Sequence, residues 1–378
     1  MATDPSLKLD RATEFSIDKI FRAVVKLDGS DLHLKVGQPP YVRVAGSLRP
    51  LKHDPIGALE MRNLCYPLMN ERNRDIFEAE GGADFAYMID VDGTQWRFRV
   101  NMLTQMGHVG MVARRVNNTI PSFKGLYLPD VIEDLCQFDQ GLVLVAGVTG
   151  SGKSTTIASM LNWINDHYRK HILTLEDPIE FLFHENKCLI NQREIGIDVK
   201  NFELGMKHAV REDPDVMLVG EMRDRETFQT AIHAAETGHL VFGTIHASSS
   251  ASTINRILDL FPQDMHASLR SALETNLKAV VAQKLLPSIS KNVSRVPAVE
   301  VLIMNSMIRK LVIEEEDEKL ADAVRLGSQD KMQDFNMSLK SLIDQALISQ
   351  DVAMEVSPNK QQLKMVLKGI DVAQGGLL

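Results

Sequence analysis

The chain has 378 residues, 44% of them hydrophobic and 24% charged, which supplies a full core and suits two domains better than one. Its formal net charge of −8 weighs against a non-specific nucleic-acid or anionic-membrane binder, which would carry a basic face. Cys65, Cys136 and Cys188 are far apart and form no CxxC pair, so a zinc knuckle lacks ligands at the usual spacing and reduced, buried thiols are expected.

The opening stretch MATDPSLKLDRATEF has no apolar core of signal-peptide length. No run of about 18 apolar residues follows anywhere, so a cytoplasmic protein is expected. Residues 14–27 read as an amphipathic helix, with Ile17, Ile20, Phe21, Val24 and Val25 at helical spacing. Asp28-Gly29-Ser30-Asp31 is a turn signal, and LHLKV beyond it alternates. Tyr41–Val44 and Ser47–Arg49 flank Ala45-Gly46 as a hairpin, and residues 83–103 read as two strands around Asp92-Gly93. Residues 108–116 add another strand. The first part, residues 1–117, is therefore expected to be a small α+β domain with an antiparallel sheet. Residues 118–124, polar and proline-containing, read as a linker.

From residue 125 to 378 the pattern changes. GLVLVAG is an apolar run suited to a strand buried on both faces. HILTLE, DVMLVGE and HLVFGTIH follow, separated by helical segments. Short buried strands alternating with helices imply an α/β fold with a parallel sheet. Beyond about residue 265 the chain reads as mainly helical, with the EEEDE run at 314–318 as a solvated helix end or loop.

Gly147-Val148-Thr149-Gly150-Ser151-Gly152-Lys153-Ser154 fits GxxxxGK[ST], with Thr155 next, between a buried strand and the helix TTIASMLNWIN. Such a loop turns backbone N–H groups onto phosphates at a helix N-terminus. Lys153 would reach the β- and γ-phosphates of a nucleoside triphosphate, and Ser154 would ligate Mg²⁺. Glu221 ends an apolar strand in a Walker-B-like position. Glu176, Asp177 and Glu180 cluster at the end of another, with surface or helix-cap acids as the alternative. His246 closes a third strand, with His239 at its start. Arg97, Arg99, Arg114 and Arg115 fall on adjacent expected strands, either as a basic or ion-paired face or as arginine fingers.

Taken together, GVTGSGKST, ILTLEDPIEF, REDPDVMLVGEMRD and ETGHLVFGTIHA resemble the Walker A, Asp box, Walker B and His box of the secretion ATPase superfamily. Within it the chain looks like the twitching-motility retraction ATPases, the PilT/PilU group. GSDLHLKVGQPPYVRVAGSLRPL, TINRILDLFP, MIRKLV and KMQDFNMSLKSLI resemble further segments of that group, so the likeness spans residues 14–350. It implies a PAS-like first domain, a RecA-like P-loop NTPase domain with a helical C-terminal part, and a homo-hexameric ring with ATP bound between domains. By motif, Lys153 and Ser154 hold phosphate and Mg²⁺, Glu180 activates water, Glu221 stands near Mg²⁺, and His246 couples phosphate state to domain position. Arg97, Arg99 and Arg114 match the family's first-domain arginines, and the resemblance leaves open which of them touch nucleotide. The implied function is pilus retraction, at an inner-membrane pilus platform protein and beside a paralogous retraction ATPase, with no nucleic-acid partner.

This chain departs from the family in Val148 where proline is common, in Ala247-Ser248-Ser249-Ser250 after the His box, and in MIRKLV where retraction motors carry AIRNLI. The late MQDFNMSL pattern leans toward PilU. An extension or type II secretion assembly motor is the main alternative. Those relatives are longer and carry a four-cysteine zinc site, which this sequence lacks. A ring component without hydrolysis runs against the intact lysine and glutamates. A DNA-translocating helicase runs against the acidic balance.

Overall fold

A computed structural model describes residues 16–369. It divides into two compact units, one up to Asn118 and one from Thr119. Residues 14 and 15 of the expected first helix lie outside the described residues.

The first unit opens with α1 (Ile17–Lys26), which buries Ile20, Phe21 and Val24. Then come β1 (Asp31–Leu34), β2 (Tyr41–Val44), β3 (Ser47–Pro50), α2 (Ala58–Cys65), α3 (Glu71–Glu80), β4 (Gly82–Val91), β5 (Thr94–Gln105) and β6 (His108–Arg115). The strands form an antiparallel sheet in the order β3-β2-β1-β6-β5-β4. Its hairpins share one device. Ala45-Gly46, Asp92-Gly93 and Met106-Gly107 each place two residues at positive φ, the two-residue loop whose twist matches the flanking strands. The sequence shows two of these turns by their glycines. It does not show α2 and α3, whose polar segments ALEMRNLC and ERNRDIFEAE carry little apolar periodicity; α3 buries only Phe77. Asn70 caps that helix by accepting from the Asn73 N–H at 2.9 Å.

The second unit runs α4 (Val131–Leu135), β7 (Gly141–Ala146), α5 (Lys153–His167), β8 (His171–Glu176), β9 (Leu189–Glu194), α6 (Phe202–Ala209), β10 (Val216–Glu221), α7 (Arg225–Glu236) and β11 (Leu240–Ile245). It continues with α8 (Ser250–Leu258), α9 (His266–Asn276), β12 (Leu277–Pro287), β13 (Arg295–Ile303), α10 (Ser306–Ile313), α11 (Leu320–Leu326), α12 (Phe335–Asp344), α13 (Gln350–Val356) and α14 (Lys360–Leu367). The sheet order is β13-β12-β7-β11-β10-β8-β9, parallel throughout except where β13 pairs antiparallel with β12. Every residue of β7 and β11 is buried, as strands covered by helices on both faces require. Ser159 Oγ on α5 donates to the Pro121 carbonyl at 2.7 Å, which pins the segment read as a linker.

Two features past residue 265 differ from the sequence reading. LKAVVAQKLLP and RVPAVEVLI form the β12–β13 hairpin, in the part read as mainly helical. Both are short apolar runs, which periodicity alone assigns to neither a buried strand nor a buried helix. The β-branched valines suit a strand, and pairing to β7 settles it. The EEEDE run is also not wholly solvated. Asp317 is largely buried and receives Arg270 of α9 through two hydrogen bonds, at 2.8 and 2.6 Å.

Candidate active site

The phosphate loop joins β7 to α5. Gly147 follows β7 directly, and a Cβ there would come within 2.4 Å of Ser151 Oγ and 2.7 Å of the Gln283 carbonyl oxygen. Backbone on one side leaves room for hydrogen alone. Gly150 and Gly152 take positive φ, at 78° and 92°. The next residue, Lys153, opens the fifteen-residue α5, so the unpaired N–H groups and positive end of its dipole face the loop. Lys153 Nζ donates to the carbonyls of Gly147 at 2.9 Å and Val148 at 3.2 Å. Burial pushes its pKa down, and the nearby Glu221 and Glu180 pull the other way. Behind the loop Gln283 Nε2 on β12 donates to Thr156 Oγ1 at 2.9 Å.

A cavity of about 540 Å³ lies over this loop. It brings together Lys153, Ser154, Glu180, Glu221 and His246, five of the sequence-derived candidates. They converge because β7, β8, β10 and β11 are parallel neighbours whose C-terminal ends open on one side, where ligands bind in open α/β sheets. Ser154 Oγ donates to Glu180 Oε1 at 3.0 Å. The β10–β11 register slips between Val219 and Glu221, an irregularity of the kind that re-aims a strand-end side chain. Glu221 then meets His246 Nε2 at 2.7 Å with one oxygen and Arg223 at 2.5 Å with the other. The Arg223 hydrogen bond, with His246 and Lys153 adding to it against burial, holds the Glu221 carboxyl below its ordinary range.

The sequence signals Arg223 only by its place two residues beyond the strand-end acid. Phe183, Leu285 and Arg295 also line the cavity without a sequence signal. His239 stands at the other end of β11, where its Nδ1 lies 2.9 Å from the Ala234 carbonyl.

The acids of 176–180 divide. Asp177 and Glu180 are exposed, while Glu176 is buried. Burial raises the Glu176 carboxyl to about 7, against hydrogen bonds from Thr174 and Gln192. A carboxyl with a raised folded-state pKa contributes stability that is complete below its unfolded pKa and lost as pH rises through about 7. Wild type is therefore expected to lose stability relative to Glu176→Gln between its ordinary 4.5 and about 7. Urea midpoints measured across that window check this, and parallel curves for the two proteins would exclude it.

The candidate arginines lie in the first unit, where Arg97 faces Met88 across β5 and β4, and Arg99 faces Arg114 across β5 and β6. Arg114 Nε donates to Asp31 Oδ1 at 2.8 Å, and Arg43 stands 3.8 Å from the other oxygen. Burial works against the Asp31 charge, yet Arg114 and Ser30 outweigh it and lower its pKa. Arg115 pairs with Asp28 at 2.5 Å and lies 5.0 Å over the Trp96 ring.

Residues 8–364 match the family described as Type II/IV secretion system protein. The chain belongs to this secretion family. Among its relatives is the type IV pilus retraction ATPase PilT of Pseudomonas aeruginosa, 42% identical over 339 residues, which are 90% of this chain and 97% of that protein. The type IV pilus ATPase PilU of the same species is 35% identical over 93% of this chain and 91% of its own length. A crystal structure of the pilus retraction motor PilT with bound ADP superposes with a TM-score of 0.83, covering 93% of this secretion-family chain and 99% of that one. The shared fold is a mixed α/β unit with a largely parallel sheet and a helical C-terminal region, preceded by an α+β unit. Among the described residues of this family member, no helix is long and apolar enough to cross a membrane.

Proposed function

We propose that this chain is a hexameric, ATP-hydrolysing motor that powers type IV pilus retraction. The observation that carries the reading is the convergence of Lys153, Ser154, Glu180 and Glu221 on one cavity above the phosphate loop, in a chain 42% identical to a retraction ATPase over nearly its full length. Residues 147–155 would hold the phosphates: loop N–H groups donate, and Lys153 exchanges the two loop carbonyls for phosphate oxygens. The Ser154 hydroxyl and Glu221 carboxylate are hard oxygen donors beside that loop and fit Mg²⁺, which when bound would neutralise developing phosphate charge. Glu180, exposed and beside Ser154, is the group proposed to take the proton of the attacking water. His246, bonded to Glu221, would relay loss of the γ-phosphate to the end of β11.

Arg97 and Arg99 are proposed to meet the nucleotide of a neighbouring subunit. Arg114, held by Asp31 through its Nε, would do so with its remaining guanidinium N–H groups. The division into units ending near residue 118 suits a ring in which nucleotide controls how a PAS-like first unit and a RecA-like second unit move. The motor would work on the cytoplasmic side of the inner membrane against a pilus platform protein. PilU-like identity supports a second reading, an accessory ATPase beside a paralogous motor.

Deleting the gene in its source bacterium tests these readings. Surplus surface pili and lost twitching are expected for a retraction motor. Twitching that fails only when the paralogue is also impaired indicates the accessory role. Bald cells would show an extension motor and overturn the proposal.

A further inference from the structure

The acidic segment after β8 is held by a side chain to which the proposed chemistry gives no part. Gln192 lies on β9, the edge strand, opposite Thr174 of β8. Its Nε2 donates to the Phe181 carbonyl at 2.8 Å and to Glu176 Oε1 at 3.2 Å, while its Oε1 accepts from the Phe183 N–H at 3.1 Å. One amide thus commits both donor hydrogens and its acceptor to three points along residues 176–183.

Glu176 is the second fixed point. Thr174 Oγ1 donates to its Oε1 at 2.8 Å, and the Glu180 backbone N–H donates to the same carboxyl. The buried carboxyl therefore closes a turn over Asp177, Pro178 and Ile179, with Glu180 at its far end. The stretch beyond is tied to α5. Asn165 donates to the His184 carbonyl at 2.8 Å and accepts from the N–H groups of Asn186 at 3.0 Å and Cys188 at 3.2 Å. The helix that begins with Lys153 at the phosphate loop therefore also anchors the segment bearing Glu180.

We propose that Gln192 and Glu176 are positioning residues for hydrolysis: together they fix the backbone of Glu180, and so the reach of its carboxylate beside Ser154. The inference rests on the reading of Glu180 as the water-activating base. Its physical ground is that a base is effective only in near-attack geometry, and a shift of about 1 Å costs on the order of 100-fold. Gln192 is half-buried on an edge strand, so leucine fills the same space and keeps the strand.

The test is steady-state ATP hydrolysis by the full-length protein, with affinity for a fluorescent ATP analogue measured in parallel. Gln192→Leu is expected to lower kcat by about 10- to 100-fold with nucleotide affinity unchanged. Glu176→Gln keeps an acceptor oxygen and is expected to retain most of kcat, whereas Glu176→Leu falls with Gln192→Leu. Adding Gln192→Leu to Glu180→Gln is expected to cost nothing further, because the group being positioned is already disabled. Wild-type kcat in Gln192→Leu would overturn the inference, as would a full further loss in the double variant. Glu176→Gln as inactive as Glu180→Gln would overturn it for Glu176, since charge rather than placement would be required. Full turnover by Glu180→Gln would remove the underlying reading and the inference with it, a result distinct from the others.

Discussion

Glu180→Gln is expected to bind ATP as wild type does and to hydrolyse it about 10²- to 10⁴-fold more slowly, the usual contribution of a general base. The amide keeps the size of the side chain and its hydrogen bond from Ser154, so the cavity keeps its shape. What it loses is the ability to take a proton. Lys153→Ala is expected to lose both binding and turnover. In the structure this lysine already lies among loop carbonyls, partly stripped of water, so its charge acts at short range and low screening. Phosphate release measured at saturating ATP, together with binding of a non-hydrolysable analogue, separates the two variants. Wild-type turnover by either would remove that residue from the site.

Arg270→Leu is expected to destabilise the second unit by about 3–5 kcal/mol, because it strands a buried charge. Arg270 and Asp317 are 8% and 13% exposed, and the guanidinium also donates to the Val312 carbonyl at 2.8 Å. One side chain therefore ties α9 to the end of α10 and to the acidic run beyond it. Leucine would leave Asp317 and a backbone carbonyl without their partner in a site poor in water. For a unit of this size the melting temperature should fall by on the order of 10 °C. Arg270→Leu combined with Asp317→Leu should be more stable than Arg270→Leu alone, since no orphan charge remains. Thermal and urea unfolding of the three proteins decide it. An unchanged melting temperature in Arg270→Leu would mean that solvent reaches Asp317 after all.

The candidate phosphate loop was legible because the chemistry proposed for it needs glycines, a lysine and a hydroxyl at fixed spacing, with a buried strand before and a helix after. Glu221 and His246 were legible for a related reason: each ends an apolar run, and parallel strands bring such ends together. Glu176 stood in the same cluster as Glu180, but its burial was not visible, because burial there depends on β9 covering the segment. Gln192 carried no signal at all; a glutamine in LINQRE becomes informative only when three backbone and side-chain groups converge on it. The β12–β13 hairpin and the Arg270–Asp317 pair escaped for one physical reason. Both are decided by contacts between segments distant in sequence, which the hydrophobic periodicity within either segment does not report.

The placement of β12 beside β7 also fixes where this protein can be cut. Of the strand that leads into the phosphate loop, all six residues are buried, and β12 covers one of its two hydrogen-bonding edges. A chain ended after Asn276 would keep every motif of the proposed nucleotide site. It would also present GLVLVA as a bare, uncharged sheet edge, the template on which other chains stack. The β12–β13 hairpin therefore acts as a guard against self-association for the strand that leads into the loop, and a minimal ATPase has to include it.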